Sequence, residues 1–331
     1  QYAKEVAAVL GTEHHEYYCS EKDALNVIPD LPFYFDEPFA DSSSIPTILV
    51  SKMARESVIV ALSADAGDEI FGGYDRYDWM LKYYKKMNAI PAIARKGGSA
   101  LLKAVPFDRL PVFRDNNIFK KRYEKLTAIL RDPSPQNVFM GMTVDFSDKE
   151  RNRLFINKTD TIFSAHHKQE LQKNYFDPLT YAMAKDYQTY MVDDILQKVD
   201  RATMSVSLEG REPFLDQHVI EWAGKLPAEY KIYNGQRKYL LRSIVHKYVP
   251  DALMDRPKKG FSVPVKSWLH GALKPMVEQY LDGSFIQKQK IFNEEYIEQI
   301  KRSYYDSHKE SDYKIWFLLM FQMWYVKWMG V

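Results

Sequence analysis

Asp65, Asp68 and Glu69 fall together with Gly67, Gly72 and Gly73 in the stretch Ser63–Tyr74, directly after the apolar run Val58–Leu62. Carboxylates held there could ligate Mg2+, and glycines let backbone amides approach a phosphate. A solvated acidic turn after a core strand would need no ligand, and a single Asp-Gly-Asp would suit that account better. Three acids and a Gly72-Gly73-Tyr74 exit favour a binding loop.

A second charged cluster lies between Asp193 and Asp216 and holds Asp194, Asp200, Arg201, Glu209, Arg211 and Glu212. Met191, Ile195, Leu196 and Val199 have helical spacing, so a helix packs there and is expected to break at Asp200-Arg201. Taken alone, these charges read best as an internal salt-bridge network that holds a loop in register. In the third cluster Lys238 and Arg242 are four apart, on one helical face. Arg256, Lys258 and Lys259 follow in a loop framed by Pro257, Gly260 and Pro264. Lysine runs usually serve solubility, but a fixed frame suits cations that meet a polyphosphate. His14-His15 and His166-His167 are read as structural, since strand neighbours point to opposite faces and no ligand-spaced partner follows. No P-loop, dinucleotide fingerprint or nucleophile elbow is present.

For the acidic turn to act, a strand must carry it. The β-branched run Val58–Leu62, bounded by turn residues, predicts a strand buried on both faces of a parallel sheet. Ligands bind beyond the carboxyl ends of such strands. Upstream, a helix over Tyr2–Leu10 ends at Gly11, a short strand covers Glu16–Cys19, and a brief helix from Ala24 stops at Pro29. Leu31–Ser44 reads as loop and Ile45–Glu56 as helix. Downstream, helices are expected over 77–87, 91–105, 117–130, 137–143, 179–199, 238–248, 275–281, 294–307 and 313–329. The last, with Trp316, Phe317, Phe321, Trp324 and Trp328, reads as core and domain-contact surface. The class is α/β, with a soft boundary near Met80: 1–80 an α/β nucleotide-binding portion, 81–331 a mostly helical portion of the same domain.

Bulk properties narrow the partners. With 46 basic and 44 acidic residues among 331, neither nucleic acid nor a membrane surface meets a dominant field. Cys19, the one cysteine, excludes an intrachain disulfide framework and a zinc–thiolate site, and a cytoplasmic location is expected. The apolar stretch Ile315–Val326 is interrupted by Gln322 and is shorter than the ~20 residues of a membrane helix. Gln1 is not an initiator methionine, so the chain is read as part of a longer protein.

Together the clusters resemble glutamine-hydrolysing asparagine synthetases. Leu62–Tyr74 is similar to their Leu-Ser-Gly-Asp/Glu-Gly-x-Asp-Glu-hydrophobic-Phe-Gly-Gly-Tyr motif. Val199–Asp216 resembles their Val-Asp-Arg…Met…Glu-x-Arg-x-Pro-Phe-Leu-Asp signature. Lys238–Arg242 with Arg256–Pro264 and Trp268 resembles a third block, and Tyr2–His15 an opening one. These ordered blocks span nearly the whole chain and correspond to the family's synthetase domain.

The resemblance implies a parallel sheet of the adenine nucleotide alpha-hydrolase (PP-loop ATP pyrophosphatase) type, incomplete at its N-terminus, with a large helical C-terminal portion. It implies ATP and Mg2+, adenylation of the aspartate side-chain carboxylate, and amidation by glutamine-derived ammonia to asparagine, AMP and pyrophosphate. By resemblance, Ser63, Ala64 and Gly67 face the nucleotide, Asp65 forms or processes the adenylate, and Asp68 holds the metal. Lys238 stabilises phosphate charge, Lys258 and Lys259 add cations, and Asp200 and Arg201 arrange the acceptor. Aspartate, ammonia, a glutaminase domain absent from this chain and a second copy in a homodimer are the partners this reading allows.

Two departures bear on activity. Ala64 and Ala66 stand where the family commonly has glycine, and a positive φ at either would cost an alanine about 1 kcal/mol. The family's Ser-Gly-Gly-x-Asp-Ser pyrophosphate loop and glutaminase cysteine have no match here, so these residues alone are expected to be inactive. Two alternatives remain: a related amidotransferase or β-lactam-forming synthetase acting on another carboxylate, such as a surface-polysaccharide sugar acid, or a non-catalytic nucleotide-binding or scaffold domain.

Overall fold

Strand β1 is shorter than the apolar run that announces it. In the computed structural model, which describes residues 2–105, 117–157, 177–254, 263–306 and 310–330, it spans Val60–Leu62. It pairs in parallel with β2 (Glu209–Arg211) in the register Val60↔Glu209, Ala61↔Gly210, Leu62↔Arg211. The parallel pairing agrees with the expected α/β class, and the remainder is mostly helical. Burial on both faces is not found: Ile59 is 66% and Leu62 76% exposed. The reason is that β1 has one strand partner among the described residues, so the apolar run lacks the neighbours that would enclose it.

Two compact units form. The first gathers Gln1–Ile28, Asp41–Asp78 and Lys168–Val263. Its helices are α1 (Tyr2–Leu10), α2 (Glu21–Val27), α3 (Ser44–Arg55), α4 (Gly67–Phe71) and the start of α5 (Asp75–Asn88). After them come α6 (Pro178–Gln188), α7 (Gln197–Met204), α8 (Gln217–Lys225), α9 (Tyr239–Val245) and α10 (Asp251–Met254). A hairpin of β3 (Ile232–Tyr233) and β4 (Gln236–Arg237) leads into α9. Gly11, with φ +65°, ends α1 as expected. Helix α2 begins earlier than its apolar pattern because Ser20 and Asp23 form a reciprocal capping box, and Pro29 sits in a following 3-10 turn. Glu16–Cys19 forms no strand; Tyr18 is 83% exposed and no partner strand pairs there.

The helix expected over 179–199 is broken earlier and extends further. Asp177 caps α6, the chain loosens at Thr189, a π-helical turn covers Met191–Leu196, and α7 carries Asp200 and Arg201 inside a helix that runs to Met204. Helices α3 and α7, each leading into a strand of the parallel pair, pack on one another.

The second unit gathers Pro29–Ala40, Trp79–His167 and Pro264–Val331. Leu31–Tyr34, expected as loop, is a short helix begun by Pro32. The C-terminal helix Asp312–Met329 buries Trp316, Leu319 and Met323, whereas of the aromatics expected in the core Phe317, Phe321 and Trp324 are half-buried and Trp328 is exposed. The indole N–H groups of Trp316, Trp324 and Trp328 donate to the carbonyls of Ala40, Asp36 and Pro32 at 2.7, 2.8 and 2.6 Å. Lys314 is buried between Glu150 and Glu310. Among the described residues no helix is long and apolar enough to cross a membrane.

Candidate functional site

One apolar cluster explains why segments distant in sequence meet. Ala66, Ile70 and Phe71 from the acidic turn and α4 pack with Met191 of the π turn and Ala223 of α8. Phe214, Leu215, Leu240 and Leu241 lie against them. Full burial of a side chain such as Phe71 contributes roughly 1.5–3 kcal/mol. The acidic turn, the Pro213-Phe214-Leu215 segment and the start of α9 thus rest on a common base.

Above that base the Lys238 Nζ lies 3.0 Å from Asp68 Oδ1. Lys238 is not in the helix face expected for it. It precedes α9 in a left-handed conformation, φ +51°, and its carbonyl accepts from the Arg242 N–H at 2.9 Å. That turn sends neighbouring cations apart. Arg237 pairs with Asp75 and with Asp78 (3.4 Å) and donates to the Gly73 carbonyl at 3.4 Å, whereas Lys238 reaches Asp68.

Glycine is required at two positions here. Gly72 ends α4 at φ +68°, and a Cβ on Gly73 would collide with the Asp68 carboxylate and the Lys238 stem. Gly67 packs edge-on to the Phe214 ring instead of lining an open cradle. Ala64, Asp68, Gly73, Arg237, Lys238 and Arg242 border a single cavity of about 1190 Å³.

Ser63 and Asp65 follow the end of β1 and flank Ala64 in the chain, but do not themselves line the cavity. The Ser63 N–H donates to the Arg211 carbonyl at 2.8 Å, which continues the parallel ladder, and its hydroxyl donates to Asp65. The register sets Ser63 next to Glu212. Burial and the charges of Asp65 and Asp200 push the Glu212 carboxyl above its ordinary range. Asp68 and Lys238 are therefore brought together beside Gly73, while Asp65 and Asp200 act on Glu212 only through their charge. Arg201 lines no part of the cavity. Lys258 and Lys259 lie outside the described residues. Of the two alanines, Ala66 has the left-handed backbone (φ +69°) and Ala64 does not.

Sequence reasoning missed the polar network behind the turn. Arg76 Nε donates to Asp186 Oδ2 at 3.0 Å, Nη2 is ion-paired to the same oxygen at 2.9 Å, and the guanidinium lies against the rings of Tyr74 and Tyr190, 4.0 and 4.6 Å from their centroids. Tyr74 donates to Glu69. Burial raises the carboxyls of Glu69 and Asp186, and in Asp186 it outweighs Arg76. Alongside, Lys198 contacts Asp41 (3.1 Å) and Ser43 (3.0 Å). Burial and the Asp41 carboxylate push Asp194 up to about 7. Only the Gly-Gly-Tyr exit hinted at this, since the contacts join residues far apart in sequence.

A divalent cation was expected on Asp68. Among the described residues no three His, Cys, Asp or Glu side chains are placed to hold a metal. The donor set fits a hard cation only in part: Asp68 supplies one carboxylate, which is paired with Lys238, and the two side chains fill the space beside Gly73.

The family model described as asparagine synthase matches residues 1–326. Asparagine synthetase (glutamine-hydrolyzing) 1 of Bacillus subtilis is 30% identical over 329 residues, 98% of this chain and 49% of its own length. A Mycobacterium tuberculosis protein provisionally named as a glutamine-hydrolyzing asparagine synthetase is 30% identical over 266 residues, 80% of this chain and 38% of its own. Amidase chry2 of Gibberella zeae is 22% identical over 316 residues, 86% of this chain and 44% of its own. The chain thus spans half or less of the length of these relatives. It belongs to the asparagine synthase family.

Proposed function

We propose that the chain is the synthetase portion of an asparagine synthase and carries a nucleotide site of the PP-loop type. The observation that carries this reading is the meeting of Asp68 and Lys238, at 3.0 Å, on the wall of one cavity. An acceptor carboxylate oxygen attacks the α-phosphorus of ATP and pyrophosphate leaves. Ammonia then attacks the acyl carbon, and AMP departs with the bonding electron pair. Such a displacement needs charge neutralised on the leaving phosphates and the acceptor held in line.

In this scheme the Lys238 ammonium faces the phosphates. Ser63, Ala64 and Gly67 border the nucleotide, and Lys258 and Lys259 add positive charge. Asp65, already held by Ser63, orients the adenylated carboxylate, with Asp200 and Arg201 on the acceptor side. Asp68 would hold Mg2+, which would supply neutralisation of charge on the departing pyrophosphate. Ammonia reaches the site from a glutaminase domain elsewhere in the full-length protein.

In the full-length gene product, aspartate-dependent pyrophosphate release and asparagine formation should both fall about 100-fold or more on Lys238→Met or Asp68→Asn, the scale of removing a preorganised charge. Wild-type rates in either variant would sink the assignment. The 331 residues alone should release no pyrophosphate, because they carry one candidate metal carboxylate and no Ser-Gly-Gly-x-Asp-Ser block. A second reading is amidation of a different carboxylate, since groups that handle ATP do not by themselves fix the acceptor. A panel of carboxylates tested for amide formation separates the two.

A further inference from the structure

We infer that the helix Ala92–Ala104 is an interfacial anchor, whose outward apolar stripe and flanking lysines dock on an anionic lipid surface. The inference is independent of the nucleotide site.

The helix turns its more polar side inward. Arg95, Ser99 and Leu102 recur at helical spacing and face the helix Asn117–Arg131. There the Ser99 hydroxyl donates to the Thr127 carbonyl at 2.9 Å, and Tyr123 donates to the Leu102 carbonyl. Arg95 is held by the carbonyls of Ile90 at 3.1 Å and Leu130 at 3.5 Å. The opposite side presents Ile93, Gly97, Ala100, Leu101 and Ala104, all exposed. Ile93 is 89% and Leu101 69% exposed, and a Cβ added at Gly97 would meet nothing within 4 Å. A surface helix of a protein in water carries its apolar stripe toward the core. This stripe points away from it, and among the described residues none covers it.

Charge identifies the neighbour. Lys96 and Lys103, both exposed, lie along one side of the stripe. From Trp79 to Val105 the chain carries six cations and no carboxylate, and over 79–131 it has 13 basic residues against three acidic. The net charge of +2 for the whole chain is thus the difference between a strongly basic segment and an acidic remainder. A second copy would bring the same cations to this face and be repelled. Nucleic acid would satisfy the lysines but has no apolar interior to offer Ile93 and Leu101. An anionic lipid surface supplies both, headgroup charge for the ammonium groups and acyl chains for the stripe. With 13 residues the helix is shorter than the ~20 that span a bilayer, so it lies in the interface plane.

The test sediments the full-length gene product with vesicles of phosphatidylcholine, alone or mixed with phosphatidylglycerol. Binding should require the anionic lipid and weaken as salt is raised, because salt screens the lysines. Lys96→Gln with Lys103→Gln should weaken binding to the mixed vesicles about tenfold or more, at about fivefold per cation. Ile93→Ser with Leu101→Ser should weaken it about as much, with every charge still in place. All four side chains are exposed, so urea unfolding should match the wild type and distinguish a lost anchor from a lost fold.

Failure of the wild type to bind the mixed vesicles overturns the inference. Vesicle binding that Ile93→Ser with Leu101→Ser leaves intact overturns it equally. Binding to duplex DNA in place of vesicles would assign the lysines to nucleic acid. A dimer that Leu101→Ser dissolves, again without vesicle binding, would assign the stripe to a second copy, and either result sinks the lipid reading.

Discussion

Gly72 and Gly73 are adjacent, yet each is required for a different reason. At Gly72 the backbone is left-handed, φ +68°, and an added Cβ would lie 3.2 Å from Ile232. Gly72→Ala should therefore destabilise the fold by about 1–2 kcal/mol, mostly as backbone strain. At Gly73 the conformation is ordinary, and the added methyl would strike the Asp68 carboxylate and Lys238. Gly73→Ala should cost about 1–3 kcal/mol as overpacking and also separate the ion pair. Urea unfolding and nucleotide titration distinguish them: both variants unfold earlier, but only Gly73→Ala loses nucleotide-dependent stabilisation. Equal nucleotide binding by the two variants would contradict this division. Ala66 shows why a glycine missing from a motif need not matter. Relief of its left-handed strain by Ala66→Gly is worth about 1 kcal/mol, and the buried methyl it removes about 0.8 kcal/mol. The two nearly offset.

At the scale of elements, α5 and α6 are joined by Arg76 and Asp186, 110 residues apart. Asp186 is 1% exposed, so it depends on the Arg76 guanidinium for its charge. Arg76→Met would leave that carboxylate buried without its guanidinium, at a cost of about 3–5 kcal/mol. Combining it with Asp186→Asn should recover part of the loss, because the orphaned charge is gone. A double-mutant cycle read by chemical denaturation measures this, and strict additivity would show that the pair is not coupled.

This contact also marks the limit of what the residues disclosed in order. The acidic turn and Lys238 were legible because each sits in a dense local signature. Their meeting follows from apolar neighbours, Phe71, Phe214 and Leu241, whose spacing is visible along the chain. Arg76 looks like any surface arginine beside a tyrosine until α6 delivers Asp186. The break at Thr189 and the π turn at Met191–Leu196 were equally hidden, since an apolar stripe at 3.6 spacing continues across both. The strand at Val60–Leu62 was legible in place and direction, whereas its burial depends on neighbours that local sequence does not contain.

Across the molecule, the response of stability to pH should carry the signature of one carboxyl. Asp194 is faced by Asp41 from the segment before α3, by Lys198 of α7, by Arg76 of α5 and by Tyr190. Burial and the neighbouring Asp41 raise it to about 7, against the pull of Lys198 and Arg76. For Asp41 itself burial works the other way from its partners, and Lys198 and Ser43 prevail, so that carboxyl stays below its usual range. Asp41 is thus the ionised member and Asp194 the one that keeps a proton. An unfolded aspartate titrates near 3.9, so between about pH 4 and pH 7 the folded chain holds a proton that the unfolded chain has released. Stability from this group is then greatest below about pH 4, falls as pH rises toward 7, and stays low above it. Asp194→Asn, which resembles the protonated carboxyl in shape, removes the dependence. The wild type should lose about 1–3 kcal/mol relative to the variant between pH 5 and pH 8, a figure reduced from the full shift because the group is only half-buried. Chemical denaturation across that range measures the difference, and because Glu69, Asp186 and Glu212 titrate in both proteins, subtraction isolates Asp194. Parallel profiles would mean that Asp194 is ionised in the folded chain throughout, and that Lys198 serves both carboxylates.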